Sequence, residues 1–186
     1  MHVVVGISGA SGSTFGHRLL IKLKKTSNIS THLILTRSGE RTLFLETGLK
    51  AHDLKELADF SYSPDDIGCR LASGSFPTHG MVIAPCSVHS MSAIAAGISS
   101  NLLIRAADVT LKERRKLILL VRETPLHLGH LRTMAALSEM GAIVAPPMPA
   151  FYHKPQTIDE LVDHTLDRVL DLLGIPSPDA SRWDAE

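Results

Sequence analysis

The sequence predicts an α/β domain, a three-layer structure in which helices cover both faces of a parallel β-sheet. Two observations indicate this class. Short, largely apolar runs at residues 2–7, 81–84 and 116–122 have the length and composition of strands buried on both faces. Segments with helical periodicity separate these runs, and strands that alternate with helices form parallel βαβ units with right-handed crossovers.

The strands are assigned from runs rich in valine, isoleucine and leucine that end at turn-forming residues. Glycine, serine or charged residues follow most of these runs. The carboxyl ends of parallel strands are where α/β proteins usually bind ligands, so we expect a site at this edge of the sheet. The predicted strands are residues 2–7, 31–36, 81–84, 116–122 and 142–145.

The helices are assigned from apolar residues three or four positions apart. The last helix has the clearest boundaries, because Thr157 and Glu160 have the spacing of a capping box and Gly174 follows the final turn. Residues 61–80 are rich in serine, glycine, proline and aspartate, which predicts a long loop. The predicted helices are residues 14–25, 40–46, 53–60, the segment after Cys86, and residues 101–115, 127–140 and 157–173.

Length and composition limit the possible functions. The 186 residues fit a single domain, with residues 174–186 as a C-terminal tail. The formal net charge is zero, which gives no electrostatic reason to expect nucleic acid or an anionic membrane as a partner. Two isolated cysteines suggest neither a disulfide framework nor a metal site, and no apolar run approaches the length of a membrane span. We therefore expect a cytoplasmic protein without a metal.

The turn after the first strand places two glycines and three serines at residues 8–13. Glycines allow backbone amides to approach a phosphate group, and the helix that follows adds a favourable field. The spacing matches neither the GxGxxG motif nor a Walker A motif. A tight turn without a ligand would use the same small residues, so both interpretations stay open at this point.

Cys86 and the residues after it end the third predicted strand. Cys86 with His89 suggests a thiol nucleophile and its base, but residues three apart at a turn rarely reach the required geometry. An apolar strand end is a common place for a buried, inert cysteine. We expect Cys86 to pack in the core, and Ser87 and Ser90 to donate hydrogen bonds to a ligand.

Charged residues recur in the second half of the chain. Arg105 and Lys112 have the spacing of a solvated helix face with internal ion pairs, and Arg168 fits the same interpretation. Arg122 and Glu123 differ, because they lie at the C-terminal end of a buried strand and need a partner or a ligand there. Arg122 suits a phosphate, whereas Glu123 is either its structural partner or a proton-transfer group.

Taken together, these motifs resemble those of the UbiX/Pad1-like flavin prenyltransferases over essentially the whole chain. Each motif is weak alone, but the ordered set is specific. The segment ADFS at residues 58–61 and the short tail resemble the Pad1-like branch associated with hydroxyarylic acid decarboxylases. The motifs are GISGASG at residues 6–12, ASGS at 72–75, APCS at 84–87, RAADVTLKERR at 105–115, RETPL at 122–126, PAFY at 149–152 and RW at 182–183.

The resemblance implies a flavodoxin-like, Rossmann-type fold and a homododecamer with FMN bound between protomers. It implies transfer of a dimethylallyl group from dimethylallyl phosphate to N5 of reduced FMN, with ring closure at C6 and without a metal. The prenylated FMN would serve a UbiD-type decarboxylase. Two alternatives stay open: an FMN-binding accessory subunit of an aromatic acid decarboxylase, and a flavin-dependent decarboxylase of cysteine-type substrates.

For FMN, the resemblance implies residues in the first turn, at the strand ends and in the helix after Ser87. Two positions depart from the family pattern: position 36 is threonine instead of the usual serine, and residues 88–90 are Val-His-Ser where many relatives have Met-Lys-Thr. Ser90 keeps a hydroxyl group, so we expect the FMN contact to survive. The implied residues are Gly9, Ala10, Ser11, Thr36, Ser87, Val88, His89, Ser90 and Arg122.

For the second substrate, the resemblance places arginine, lysine and tyrosine around the dimethylallyl phosphate, which replaces the solvated interpretation of Lys112 and Arg168. Cations stabilise a leaving phosphate, aromatic faces stabilise an allyl cation, and a carboxylate or the released phosphate accepts the proton lost at C6. The implied substrate-binding residues are Tyr152, Arg168, Lys112 and Arg105, and the candidate catalytic residues are Glu123, Glu46 and Trp183.

Overall fold

The structure is a computed structural model, and it describes residues 1–177 and 180. Within them, one six-stranded parallel sheet forms the centre of the protein. In the four central strands nearly every residue is buried, which explains why these strands read as continuous apolar runs. The strands are β1 (His2–Ile7), β2 (Ser30–Leu35), β3 (Phe60–Tyr62), β4 (Gly80–Cys86), β5 (Lys116–Val121) and β6 (Ile143–Val144).

Seven α-helices and a short 3-10 helix at Arg70–Ala72 connect these strands in the described part of the chain. The helices are α1 (Ser13–Lys25), α2 (Arg37–Thr47), α3 (Ala51–Lys55), α4 (Val88–Ala95), α5 (Leu102–Lys112), α6 (Leu128–Glu139) and α7 (Ile158–Leu173).

The strand order is β3-β2-β1-β4-β5-β6. Without the short edge strand β3, this order is that of the flavodoxin-like fold, and β3 extends it to the classical Rossmann order. The predicted fold class is therefore confirmed. The chain changes direction across the sheet between β1 and β4, and the crevice at such a switch point is where open α/β sheets bind ligands.

Two apolar cores separate the sheet from its helices. Side chains of α1, α2, α3 and α7 fill one core, and those of α4, α5 and α6 fill the other. Helix α1 lies unusually close to the sheet at Gly16, where a β-carbon would lie 2.5 Å from Cδ1 of Ile7. Glycine at this position is required by that close approach.

Ion pairs join α1 to α7 on the outside of the first core. Arg18 makes two hydrogen bonds to Asp163, of 2.7 and 2.6 Å, and Lys22 pairs with Asp167 at 2.6 Å. A cavity of about 840 Å³ lies between the two helices beside these pairs, and His153 and His164 line it. None of the strand-end residues lines this cavity.

The structure corrects the prediction for residues 53–80. Helix α3 ends at Lys55 instead of Phe60, and Phe60 begins the edge strand β3. The prediction of a long loop was wrong for β3 and for the 3-10 helix at Arg70–Ala72. Three residues paired on one side only are too few for periodicity to reveal a strand.

Helix α7 was predicted correctly, with one difference at its start. Thr157 accepts a hydrogen bond from the Glu160 amide, as expected for an N-cap. The Glu160 carboxylate accepts from the amide of Gln156 at 2.7 Å, one residue before the capping-box partner. Gly174 ends the helix in the left-handed conformation, with φ of 79°.

Among the described helices, none combines the length and the apolar character that a membrane span requires.

Candidate active site at the strand ends

Four residues directly follow four neighbouring strands and so lie at the same edge of the sheet: Ser8 after β1, Thr36 after β2, Ser87 after β4 and Arg122 after β5. Backbone hydrogen bonds connect these positions. The Thr36 amide donates to the Ile7 carbonyl at 3.0 Å, and the Arg122 amide donates to the Cys86 carbonyl at 3.1 Å. The predicted strand-end edge therefore exists as one connected surface.

Two helices begin at this edge with a hydroxyl side chain as N-cap. The Thr36 hydroxyl accepts from the Gly39 amide at 3.0 Å, and the Ser87 hydroxyl accepts from the Ser90 amide at 3.2 Å. The Ser87 hydroxyl also donates to the Ser90 hydroxyl at 3.2 Å. Helix N-termini and hydroxyl groups favour anions and polar ligand edges, so α2 and α4 give this edge the chemistry of an anion site.

The glycine turn packs against the start of α2. A β-carbon at Gly9 would lie 2.6 Å from Cβ of Ser38, so a side chain here would push the turn away from the helix. The Thr42 hydroxyl donates to the Gly9 carbonyl at 3.2 Å and holds this contact. Ala10 and Ser11 follow, with Ser11 exposed to solvent. The predicted FMN residues of the turn thus lie beside Thr36.

Glu46 occupies the amino end of α1. Its carboxylate accepts from the Gly12 amide at 3.0 Å, from the Ser13 amide at 2.9 Å and from the Ser13 hydroxyl at 2.7 Å. Burial alone raises the pKa of Glu46, but hydrogen bonds from the Ser11 and Ser13 side chains and from these amides lower its pKa overall. Glu46 is an ionised cap of α1.

Arg122 and Glu123 are both exposed beyond the end of β5. Among the described residues, the Arg122 guanidinium forms no ion pair, and Glu123 accepts from the amide of its neighbour Thr124 at 2.9 Å. Glu123 is therefore not the structural partner of Arg122, which leaves the guanidinium open to an anionic ligand.

Cys86 is fully buried, and burial raises the pKa of its thiol to about 12. A thiol that stays protonated is a poor nucleophile. His89 points away from the core and is exposed on the first turn of α4. The expectation that Cys86 packs in the core is confirmed. Val88 packs against the second core, and Ser90 is buried beside it.

Arg105 and Lys112 lie along α5 rather than at the strand ends. The Arg105 guanidinium pairs with Asp108 at 2.6 Å and donates to the Ala72 carbonyl at 3.3 Å. The Lys112 ammonium group pairs with Glu113. Lys112 is the last residue of α5 and precedes the start of β5 by four residues. Lys112 therefore lies at the opposite edge of the sheet, about 20 Å from the strand ends for a six-residue strand.

Tyr152 and Arg168 are both exposed. Arg168 belongs to α7, whereas Tyr152 precedes this helix and contacts its surface. The Tyr152 hydroxyl and Nε2 of His164 are 2.9 Å apart, and Arg168 follows His164 by one helical turn. The structure thus brings these two predicted substrate residues to one surface. Trp183, the third predicted catalytic residue, lies outside the described residues.

Ser8 lies at this edge but is not among the site residues predicted from the sequence. It is 1% exposed and bonds to the end of β4 through its hydroxyl group. A signal for it was present, because a single serine that follows a largely apolar strand is a polar group in a buried setting and needs a partner.

Comparison with known proteins shows, at the broadest level, that the chain is one of the flavin-binding proteins. The family profile described as Flavoprotein matches residues 1–170. The solved structure of AnUbiX (PadA1), in complex with FMN and dimethylallyl pyrophosphate, superposes with a TM-score of 0.97 at 39% identity, covering 100% of this chain and 98% of that one. A dodecameric FMN-dependent UbiX-like decarboxylase from Escherichia coli O157:H7 also gives a TM-score of 0.97, at 46% identity and 100% coverage of both chains.

A curated relative narrows the class. Flavin prenyltransferase UbiX of Salmonella typhimurium is 50% identical over 176 residues, which cover 95% of this chain and 93% of that protein. The chain therefore belongs to the UbiX family of flavin prenyltransferases, and the family resemblance of its motifs is confirmed.

Proposed function

We propose that this protein is a flavin prenyltransferase that transfers the dimethylallyl group of dimethylallyl phosphate to reduced FMN. One observation carries the proposal: in a UbiX-family chain, one edge of the sheet gathers hydroxyl groups, two helix N-termini and the Arg122 guanidinium. When bound, the flavin supplies the two acceptor positions, N5 and C6 of its ring system.

The residues at this edge fit FMN. A phosphate group needs hydrogen-bond donors and a positive field, and the first turns of α2 and α4 supply both. Because Gly9 packs closely against Ser38, no side chain fits at this position of the turn. We assign FMN binding to Gly9, Ala10, Ser11, Thr36, Ser87, Val88, His89, Ser90 and Arg122.

We further propose that neighbouring protomers complete the site in a homododecamer. Lys112 lies at the edge opposite Arg122, so one protomer cannot bring both side chains to one small phosphate. The E. coli O157:H7 relative is described as dodecameric, which supports this assembly. Exposed apolar side chains are available for contacts between copies: Phe44, Leu45, Leu128, Met148, Phe151 and Ile158.

We assign the cationic side chains of the site to stabilising the departing phosphate. Breaking the allylic C–O bond leaves negative charge on that phosphate, and fixed positive groups stabilise it. We assign this role to Lys112, Arg105 and Arg168, with Tyr152 as a hydrogen-bond donor. Trp183 is assigned on the sequence alone, as an aromatic face beside the allyl cation.

Glu123 is the better candidate for accepting the proton from C6. The oxygens of Glu46 already hold the amino end of α1, and freeing them would leave those amides without partners. Glu123 is exposed at the same edge as Arg122, and within the described part of the chain its carboxylate accepts one hydrogen bond, from the Thr124 amide. Glu46 is thus assigned mainly to holding the turn in place.

The proposal is tested by anaerobic incubation of the protein with reduced FMN and dimethylallyl phosphate, followed by mass spectrometry of the flavin. We expect flavin heavier by one prenyl unit. FMN that binds but stays unmodified would contradict the proposal and favour an accessory subunit. Glu123→Gln should slow product formation by roughly 10²- to 10⁴-fold, the usual range for a lost acid–base group, whereas the exposed control Glu139→Gln should not.

The shared site has its own test. Lys112→Ala and Arg122→Ala variants should each lose most activity, and oligomers formed from both variants together should regain part of it. Recovery requires that the two residues of one site come from different chains, so its absence would argue against the shared site. Restored decarboxylation when the flavin product is added to an apo UbiD-type enzyme would identify the proposed recipient.

A further inference from the structure

Ser8 connects the two segments assigned to FMN. Its hydroxyl group donates to the Pro85 carbonyl at 2.8 Å and accepts from the Ser87 amide at 2.7 Å. The Ser8 amide also donates to the Pro85 carbonyl, at 3.2 Å. The side chain is 1% exposed, so these bonds do not compete with bulk water.

The partners of Ser8 belong to a line of hydrogen bonds that runs across the strand ends. On one side, the Ile7 carbonyl accepts from the amide and the hydroxyl of Thr36, at 3.0 and 3.2 Å. On the other side, the Arg122 amide donates to the Cys86 carbonyl. Ser8 lies in the middle of this line and contributes its side chain to it.

We propose that Ser8 is a positioning residue for the flavin: its hydroxyl fixes the Ser87 amide, and with it the start of α4, relative to the glycine turn. The inference rests on the proposed function, because it takes FMN to bind at this edge. Without the Ser8 hydroxyl, the Ser87 amide loses its acceptor, and a buried donor without a partner moves or recruits water. A ligand held from both sides then loses contacts on one of them.

The first test measures the FMN dissociation constant of Ser8→Ala by quenching of flavin fluorescence. We expect a 10- to 100-fold weaker affinity, the range for leaving one buried donor unsatisfied. Ser92→Ala, the same change at an exposed position of α4, should bind FMN within about twofold of the unmodified protein. If Ser8→Ala does not fold, Ser8→Cys replaces it, because the thiol fills the site but is a much weaker hydrogen-bond acceptor than the hydroxyl group.

A destabilised variant with an intact strand-end edge separates positioning from general destabilisation. Leu173→Ala removes a buried side chain beside Gly80, at the opposite edge of the sheet, and should bind FMN within about threefold of the unmodified protein. Equal losses of FMN affinity in Leu173→Ala and Ser8→Ala, or a folded Ser8 variant with FMN affinity within twofold of the unmodified protein, would overturn the inference. Failure of the unmodified protein to bind FMN would instead refute the proposed function, so the two failures are distinguishable.

Discussion

Lowering the pH from 7 to 5 tests the role of His32, a histidine whose side chain is fully buried in β2. Its Nε2 lies 3.0 Å from Nδ1 of His2, and its Nδ1 lies 3.0 Å from the Tyr62 hydroxyl. Its ring stacks on Phe60, with the ring centres 4.8 Å apart. The cluster joins β1, β2 and the edge strand β3, so a charge on His32 affects the edge of the sheet.

Burial lowers the pKa of His32 from 6.5 to about 4, and His2 and Arg70 act in the same direction. The unfolded chain therefore binds a proton at higher pH than the folded one. The resulting stability is present above pH 6.5 and is lost as the pH falls from 6.5 towards 4. At 1.36 kcal/mol per pKa unit, lowering the pH from 7 to 5 reduces the free energy of unfolding by about 2 kcal/mol through His32.

The assay is urea unfolding followed by far-UV circular dichroism at pH 7 and pH 5, for the unmodified protein and for His32→Gln. Glutamine keeps hydrogen-bonding capacity but does not titrate, so this variant should lose about 2 kcal/mol less on acidification. His52→Gln is the matched control, because the His52 side chain is 76% exposed. Protein concentration must be equal throughout, since assembly makes apparent stability depend on it.

The comparison uses the difference between the two pH values, so any constant cost of placing glutamine in the core cancels. Equal losses for His32→Gln and the unmodified protein, within about 0.5 kcal/mol, would refute the reasoning, because other titrating groups are common to both proteins. The reasoning would also be refuted if His52→Gln lost about 2 kcal/mol less than the unmodified protein on acidification, since the exposed His52 has no buried contacts to lose.

Three further predictions concern packing, the thiol and the ion pairs. Gly16→Ala should lower the free energy of unfolding by about 3 kcal/mol in urea titrations, because the added β-carbon overlaps the sheet. Gly68→Ala should change it by less than about 1 kcal/mol, because the added β-carbon would meet only Oδ1 of Asp66, at 3.8 Å. Cys86→Ala should keep prenyl transfer within a fewfold of the unmodified rate, and loss of activity in a folded variant would revive a thiol role. Asp163→Asn should lower the free energy of unfolding by about 1.5–3 kcal/mol, because the Asp163 carboxylate accepts two hydrogen bonds from Arg18. Asp159→Asn should lower it by at most about 1 kcal/mol, because the Asp159 side chain is 64% exposed. Equal losses for the two variants would contradict this geometry.

The longer elements could be predicted from the sequence because burial decides their pattern. A strand covered on both faces must be apolar throughout, as β4 is, and an amphipathic helix such as α7 shows its core face at regular spacing. The strand β3 could not be predicted, because its pairing to β2 and the bonds from Thr31 to Asp59 depend on residues about 28 positions away. Local pattern does not contain such contacts.

The candidate site was predictable in part for a related reason. Strand ends can be located from the strands, so Thr36, Ser87 and Arg122 could be placed at one edge without coordinates. The position of Lys112 could not, because family resemblance gives a residue's role but not the edge of the sheet at which it lies. The role of Glu46 as a cap of α1 likewise became visible only in the structure, since its contacts with α1 span more than 30 residues.

The strand-end edge contains two kinds of polar residue, and they should respond differently to substitution. Ser8, Thr36 and Glu46 direct their hydrogen bonds inward and hold the backbone of the edge together. Arg122 and His89 are exposed and contribute little to the edge itself. Changes to the inward group should therefore alter stability and ligand affinity together, whereas changes to the outward group should alter affinity alone. The departure at residues 88–90 belongs to the outward group at His89, so the chain can vary this position without disturbing its fold.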